Sequence, residues 1–229
     1  MKKKKIVVLT GAGISAESGV KTFRDADGLW EGYDIEQVAT PYGFNKDPEL
    51  VLNFYNGLRK QLKDVQPNPA HLLLAELEKD YNVVVITQNV DDLHERAGSS
   101  NIIHLHGELL KMRGVDDPYT FYDCTEDIKV GDLSPSGVQL RPHIVWFGED
   151  VPMIVKAAEE VETANIVLII GTSLQVYPAA GLMNYAEKGT PIYYIDPRPS
   201  ISSKDNITVI KDVASTGVAK AIELIKELK

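Results

Sequence analysis

The stretch at residues 6–30, IVVLTGAGISAESGVKTFRDADGLW, constrains the fold more than any other part of this sequence. The apolar run at residues 6–9 is short enough for a buried strand. Gly11 and Gly13 follow at once, where the backbone can turn tightly and approach a ligand closely. With Ala16 the spacing becomes G-x-G-x-x-A, a permitted form of the dinucleotide-binding motif. We therefore predict a strand that leads into a phosphate site, while the same glycines also suit a plain strand-to-helix turn.

The residues after this motif differ from those of a dehydrogenase. Ser15, Glu17 and Ser18 are candidates to cap a short helix. A dehydrogenase would then add a second strand and an acidic residue about 20 positions on, and neither is visible. Instead, residues 21–41 are rich in glycine, aspartate and aromatic residues. This composition predicts a long loop that can fold over a bound ligand.

Composition and charge exclude several classes of protein. The chain has 229 residues, of which 44% are hydrophobic and 25% charged, as in ordinary globular proteins with a sizeable core. The net charge of −9 argues against a nucleic-acid partner, because such binding depends on basic surface. The apolar run after the basic residues 2–5 is too short for a signal peptide, and no stretch is long enough to span a membrane. We expect a cytoplasmic protein with no membrane partner, and the oligomeric state is left open.

Apolar periodicity predicts alternating strands and helices. Helical spacing occurs at residues 48–62 and 71–79, and apolar strands are predicted at residues 83–87, 102–105, 166–170 and 192–195. This order is typical of an α/β fold, with a Rossmann-like, mostly parallel sheet and helices on both faces. We assign the dinucleotide-binding core to residues 1–40, 80–107 and 142–229, a helical insertion to 41–79, and a small inserted module to 108–141.

Polar or small residues follow several of the predicted strands. Gln88, Asn89 and Asp91 come after one strand, and His106 ends another. Because the carboxyl ends of parallel strands meet at one edge of a sheet, we expect these groups to lie close together. An amide side chain can match the donor and acceptor of a carboxamide at once, although Asn89 and Asp91 would also suit the start of a helix.

Five segments in series resemble the sirtuin family, in particular its bacterial members. They are GAGISAESGVKTFRD, TQNVDDLHERAG, HLHGE, PHIVWFGE and GTS, and the likeness runs nearly end to end. The resemblance implies a single catalytic domain that removes acyl groups from lysines of proteins or peptides. NAD is consumed as a co-substrate, giving nicotinamide and O-acyl-ADP-ribose. Two alternatives are an ADP-ribosyltransferase or NAD hydrolase using the same pocket, and a non-catalytic NAD sensor.

The resemblance also implies the roles of individual residues. His106 would be the catalytic base and Asn89 a second catalytic residue. His104 lies two positions away on the same face of the strand, and it is the match to His-Gly that selects His106. The NAD-binding residues implied are Gly11, Ala12, Gly13, Ala16, Phe23, Arg24, Gln88, Asn89, Asp91, Gly171, Thr172, Ser173, Asp196, Pro197, Arg198 and Ala214. The substrate-binding residues implied are Tyr55, Val145, Trp146, Phe147 and Gly148, the last four as an edge for strand addition or, alternatively, as a core strand.

The inserted module departs from the family pattern. Relatives usually carry two Cys-x-x-Cys pairs that bind a structural zinc, whereas Cys124 is the single cysteine here and no histidine lies in residues 108–142. Tetrahedral zinc needs four ligands, so we predict no zinc. We expect the module to be held by packing of Tyr119, Phe121 and Tyr122.

The residues implied for the acyl chain and the ribose also depart from the pattern. Relatives that remove acidic acyl groups carry a tyrosine and, three residues on, an arginine. Here Tyr55 is followed by Leu58, with Arg59 one position later and rotated by about 100° around a helix. We therefore predict a preference for acetyl or longer apolar acyl groups. Asp196 stands where many relatives have asparagine, which adds a charge near the pyrophosphate.

Overall fold

The computed structural model describes residues 3–21 and 29–228. Within them the strands are β1 (Lys5–Thr10), β2 (Leu29–Trp30), β3 (Tyr33–Asp34), β4 (Asn82–Thr87), β5 (Ile102–His104), β6 (Gly107–Gly114), β7 (Phe121–Asp123), β8 (Leu140–Ile144), β9 (Ile166–Ile170), β10 (Ile192–Ile195) and β11 (Ile207–Ile210). The helices are α1 (Ile35–Val38), α2 (Pro41–Lys46), α3 (Pro48–Leu62), α4 (Pro69–Leu77), α5 (Leu93–Ala97), α6 (Ile154–Glu162) and α7 (Ala214–Glu227).

Six strands form one parallel sheet in the order β11-β10-β9-β1-β4-β5. Successive residues of β1 point to opposite faces, so that Ile6 and Val8 belong to one buried cluster while Val7 and Leu9 belong to another. The first cluster is covered by α4 and α7, and the second by α6 and a 3-10 helix at Ala179–Tyr185. The predicted Rossmann-like sheet with helices on both faces is confirmed.

The strand order defines where a ligand can bind. From β1 the chain passes through β4 and β5 on one side of the sheet, and later through β9, β10 and β11 on the other. The direction of winding therefore reverses between β1 and β9. In open α/β sheets, the crevice beyond the carboxyl ends of two such strands is the usual binding site.

The inserted module contains regular structure that we did not predict. Its strands β6, β7 and β8 form an antiparallel sheet in the order β7-β6-β8. The predicted aromatic packing is wrong, because Tyr119 is 77% exposed and Phe121 44% exposed. The module packs instead through Leu109, Ile128 and Leu140, in the same buried cluster as residues of α3.

Residues 21–41 were expected to be a long loop, but the described part of this segment contains regular structure. β2 and β3 form a short hairpin, and α1 follows directly. The helix predicted after Gly13 is replaced by two 3-10 turns, Ala12–Ile14 and Ala16–Ser18, and the Ser15 side chain caps neither. In the described residues, every helix falls short of the length and apolar character that crossing a bilayer requires.

Candidate active site

A cavity of about 310 Å³ lies at the sheet edge where the winding reverses. It brings together many of the residues singled out from the sequence, namely Ala12, Tyr55, Gln88, Asn89, Asp91, His106, Val145, Trp146, Phe147, Gly148, Thr172 and Ser173. Leu58, Leu62, Val65 and Leu109 form an apolar part of the wall. The cavity therefore combines a polar floor with an apolar channel.

The glycines beside the cavity join two loops that come from distant parts of the chain. The Gly13 amide donates to the Gly171 carbonyl oxygen at 2.8 Å, and the Gly11 amide donates to Ile170 at 3.0 Å. A Cβ on Gly13 would lie 2.6 Å from the Gly171 Cα, and one on Gly11 would lie 2.8 Å from the Gly171 oxygen. Glycine is thus required because the loops after β1 and β9 touch through their backbones. Ala16, the last residue of the motif, is exposed and lies outside the cavity wall.

Asn89 and Asp91 are buried and linked through Ser15. The Asn89 Nδ2 donates to the Ser15 hydroxyl at 3.2 Å, and that hydroxyl donates to Asp91 Oδ2 at 2.9 Å. The other Asp91 oxygen accepts from the amide of Leu93, the first residue of α5. Burial raises the pKa of Asp91 to about 6, against the opposing effect of these hydrogen bonds. Sequence reasoning missed Ser15, which it treated as a helix cap.

His106 has one ring nitrogen fixed by the backbone. Its Nδ1 lies 3.0 Å from the Gln88 carbonyl oxygen. A carbonyl oxygen only accepts, so Nδ1 carries the proton and a neutral ring keeps its lone pair on Nε2. Burial lowers the pKa of His106, with the Gln88 bond acting in the opposite direction. The arrangement favours an uncharged imidazole that can accept a proton.

His104 has a different environment from His106. Its Nε2 lies 2.7 Å from Glu95 Oε1 and its Nδ1 lies 3.3 Å from the Asn89 carbonyl oxygen. Burial alone would lower the pKa of His104, but the Glu95 carboxylate, together with Glu108 and the Asn89 carbonyl, outweighs burial and raises it. His104 is therefore suited to stay protonated and to bind Glu95 and the Asn89 backbone. His106 is suited to accept a proton.

The residues implied for the adenosine end lie beyond β10 and β11. Asp196 is buried and accepts from the Arg198 amide at 2.8 Å, and Ala214 is the first residue of α7. The start of α7 is held by Glu17, whose carboxylate accepts from the Ser215 amide and hydroxyl. Glu17 was expected to cap a helix of its own segment. Asp196, Pro197, Arg198 and Ala214 lie outside the lining of the cavity described above.

The segment at residues 145–148, which we call the substrate segment, follows β8 and borders the cavity. The Val145 amide donates to the His106 carbonyl oxygen at 2.9 Å, and the Phe147 amide donates to Ala39 at 3.0 Å. The Trp146 indole donates to the Tyr55 hydroxyl at 2.9 Å, in a wholly buried contact. The substrate segment lies outside the regular strands: its residues 147 and 148 form a turn, which the Glu149 amide closes by donating to the Trp146 carbonyl oxygen at 3.0 Å. Phe23 and Arg24, implied to cover the cofactor, lie outside the described residues.

These features together define a class of protein. Glycine loops at the reversal of a parallel sheet, a buried amide and acid, and a neutral histidine are typical of an enzyme that acts on a dinucleotide. A sequence model described as the Sir2 family matches residues 11–178, and the chain belongs to that family.

Curated and solved relatives extend the match over most of the chain. An NAD-dependent protein deacylase of Bacteroides thetaiotaomicron is 57% identical, over 97% of this chain and 98% of its own length. Another, from Helicobacter pylori, is 62% identical over 85% of each chain. The solved complex of a Sir2 homologue with NAD superimposes with a TM-score of 0.86 at 39% identity, covering 99% of this chain and 91% of that one.

Proposed function

We propose that this protein removes acyl groups from lysine side chains of proteins, with NAD as the co-substrate. The observation that carries the proposal is the meeting of His106, the Asn89–Ser15–Asp91 chain and the substrate segment around one cavity. The NAD-dependent protein deacylases and the NAD-bound Sir2 homologue to which the chain is similar support the same activity.

The residues present fit NAD. The loops after β1 and β9 meet through Gly13 and Gly171 with no side chain between them, so the two backbones converge beside Ala12 and Thr172 at the carboxyl ends of the strands. We assign Ala12, Thr172 and Ser173 to the cofactor near this point. We assign Asp196, Pro197, Arg198 and Ala214 to the adenosine end, and the predicted cover by Phe23 and Arg24 remains part of the proposal.

The buried polar chain is suited to a carboxamide. Gln88 is held by a 3.2 Å hydrogen bond to the Thr172 hydroxyl, and Asn89 uses its Nδ2 on Ser15. The Asn89 side-chain oxygen is the end that this chain of bonds does not use. An ionised Asp91 can accept from an amide nitrogen. We infer that these groups bind and orient the nicotinamide end.

The reaction depends on the departure of nicotinamide from NAD, which exposes an electrophilic ribose carbon to the acyl oxygen. His106 Nε2 accepts the proton from a ribose hydroxyl, since Nδ1 is committed to Gln88. The apolar wall formed by Leu58, Leu62, Val65 and Leu109 excludes water from the acyl chain. Asn89 lines the same cavity and holds the reacting groups in place.

We propose that acetyl and longer apolar acyl groups are preferred. Leu58 lines the cavity, as does Tyr55. Arg59 is buried and donates to the Leu109 carbonyl at 3.0 Å, to Asn56 at 2.9 Å and to the Glu126 carbonyl at 3.2 Å. It is thus engaged with the inserted module and does not line the cavity.

We further propose that the inserted module folds without zinc. Cys124 is its single thiol, and the Sγ donates to the Glu126 carbonyl oxygen. Asn56 of α3 makes two hydrogen bonds with the backbone of Ile128, at 2.9 and 3.0 Å. These bonds and the apolar contacts of Leu109 attach the module to α3, so its donors do not fit a tetrahedral zinc site.

The assay incubates the protein with NAD and an acetyl-lysine peptide. We expect loss of the acetyl group together with nicotinamide and O-acetyl-ADP-ribose in equal amounts. Parallel reactions omit NAD or omit the peptide. Deacetylation without NAD would contradict the proposal, and nicotinamide release at the full rate without peptide would favour an NAD hydrolase instead.

A further inference from the structure

Glu149 closes the substrate segment with a dense set of hydrogen bonds. Its carboxylate accepts from Arg141 Nη1 at 2.6 Å and from Nη2 at 3.1 Å, and it accepts from the Trp146 amide at 2.8 Å. Arg113 Nη2 lies at 3.5 Å from the same carboxylate. Such charge-assisted, two-pronged contacts between arginine and carboxylate are among the strong hydrogen bonds in proteins.

The position of this carboxylate is set by the inserted module. Arg113 on β6 and Arg141 on β8 are directly opposite each other across the antiparallel pair. Like charges at such positions repel, and both side chains are nearly buried. The Glu149 carboxylate contacts both guanidinium groups and offsets their repulsion. Because the two arginines of the module need the Glu149 carboxylate between them, the module also fixes the substrate segment, which precedes Glu149.

Arg141 also acts on the tryptophan of the substrate segment. Its guanidinium carbon lies 3.2 Å from the centre of the Trp146 ring, and its Nη2 donates to the Ile144 carbonyl at 2.9 Å. The indole edge is fixed by the Tyr55 hydroxyl. Trp146 is thus held at its ring face, its ring nitrogen and its backbone amide, although it belongs to no regular strand.

We propose that the Arg141–Glu149 ion pair positions the acylated lysine by fixing Trp146 and the substrate segment at the cavity wall. This role rests on the proposed deacylase function. Neither residue is assigned to NAD, and although Glu149 lines the same cavity as Asn89 and Asp91, its hydrogen bonds run to Arg113, Arg141 and Trp146. The pair therefore acts on binding of the acyl peptide and leaves binding of NAD unchanged.

Steady-state kinetics with one substrate varied at a time test the proposal. We expect Glu149→Ala to raise the KM for an acetyl peptide about tenfold, equivalent to one lost charge-assisted hydrogen bond. The KM for NAD and the kcat at saturating peptide should stay within about twofold of wild type. Glu149→Gln keeps an oxygen for the Trp146 amide, so it should recover part of the loss and keeps the test available should the alanine variant fail to fold.

Arg113→Gln is the matched control, because Arg113 contacts the same carboxylate but neither Trp146 nor Ile144. It should keep the wild-type KM for the peptide. A wild-type peptide KM in both Glu149 variants, or an equal rise in the KM for NAD, would overturn the positioning role. So would an equal defect in Arg113→Gln. Failure of the wild-type protein to deacylate the peptide would instead overturn the proposed function.

Discussion

At the scale of single residues, two titratable groups, His106 and Asp91, line the same cavity. Burial depresses the pKa of the imidazole and raises that of the carboxyl to about 6. Asp91 therefore changes charge in the weakly acidic range, whereas His106 takes up its proton at a lower pH than a free imidazole does. The base form of His106 and the ionised form of Asp91 are the forms that the proposed reaction uses.

The first prediction concerns the titration of these two groups. We expect kcat/KM to be constant above about pH 7 and to fall on acidification, first as Asp91 takes up a proton and then, at lower pH, as His106 does. Asp91→Asn should remove the first of these two steps, and His106→Ala should lower kcat by about 10²–10⁴-fold. His104→Gln is the comparison and should keep the acid limb. Wild-type kcat in His106→Ala would refute its role as the base.

The second prediction concerns Leu58 and the choice of acyl group. Wild-type protein should deacetylate a peptide faster than it desuccinylates the same peptide, because the wall beside Tyr55 is apolar at Leu58. Leu58→Arg should reverse the order, since a cation at this position can pair with a succinyl carboxylate. Leu58→Met, of similar volume, should preserve it. Rates on paired peptides measure this, and faster desuccinylation by wild type would disprove the preference.

Single residues also show the limits of prediction from the sequence. His106 could be chosen over His104 only through the family likeness, and the structure shows the physical difference in their partners, Gln88 and Glu95. Ser15 was missed because a serine after glycine suits a cap as well as a buried relay. Its contact with Asp91 joins positions that are 76 residues apart, which local pattern cannot reveal.

At the scale of elements, strong periodicity gave reliable predictions. The limits of α3 and β9 agree with those predicted. The helix α3 has Asp47 as its N-cap and Pro48 as its first residue, and β9 is apolar throughout. The strands of the inserted module were missed since β7 is largely exposed and β6 pairs irregularly with β8. Their apolar spacing is weak, and long-range pairing determines their structure.

The third prediction tests the contact between the loops after β1 and β9. Gly13→Ala places a methyl group 2.6 Å from the Gly171 backbone, so we expect a loss of about 1–3 kcal/mol of stability and a higher KM for NAD. Gly57→Ala, in the middle of α3 with no atom within 4 Å of the new Cβ, should gain about 0.5–1 kcal/mol with the same KM. Urea unfolding and NAD kinetics provide both readouts. Equal effects of the two substitutions would contradict the proposed contact.

The fourth prediction concerns the inserted module and metal. Elemental analysis of purified protein should find zinc well below one per chain, and treatment with EDTA should leave the melting temperature unchanged. Asn56→Ala should lower that temperature, because Asn56 pairs with the Ile128 backbone in place of a metal clip. Zinc at one per chain together with a fall in melting temperature on chelation would contradict the proposal.

At the scale of the whole molecule, two buried histidines join the sheet to its covering helices. His71 on α4 and His94 on α5 are in edge-to-face contact at 4.9 Å, and His94 bonds the Thr10 hydroxyl of β1 at 3.2 Å. Burial lowers the pKa of His71 to about 4 and that of His94 to about 3. The folded protein therefore requires both rings to be neutral.

The fifth prediction is acid destabilisation. A histidine whose pKa is lower in the folded than in the unfolded chain stabilises fully above about pH 6.5, and its contribution is lost as the pH falls toward the folded value. Each ring should cost about 2 kcal/mol between pH 8 and pH 5, partly offset by Asp91, whose raised pKa acts in the opposite sense. These three groups give a net loss of about 2–3 kcal/mol in urea unfolding, and His143, whose pKa burial lowers to about 4, adds to the loss in the same direction. His71→Gln should weaken this dependence, and an unchanged dependence would contradict the explanation.

The central position of β1 links the order of synthesis to the appearance of activity. One side of β1 pairs with β4, and the other side pairs with β9, which comes about 160 residues later in the chain. The contact between Gly13 and Gly171 therefore forms only after β9 has been synthesised and has paired with β1. A nascent or truncated chain that ends before β9 has His106 and Asn89 yet lacks half of the proposed cofactor site, so we expect it to be unable to consume NAD.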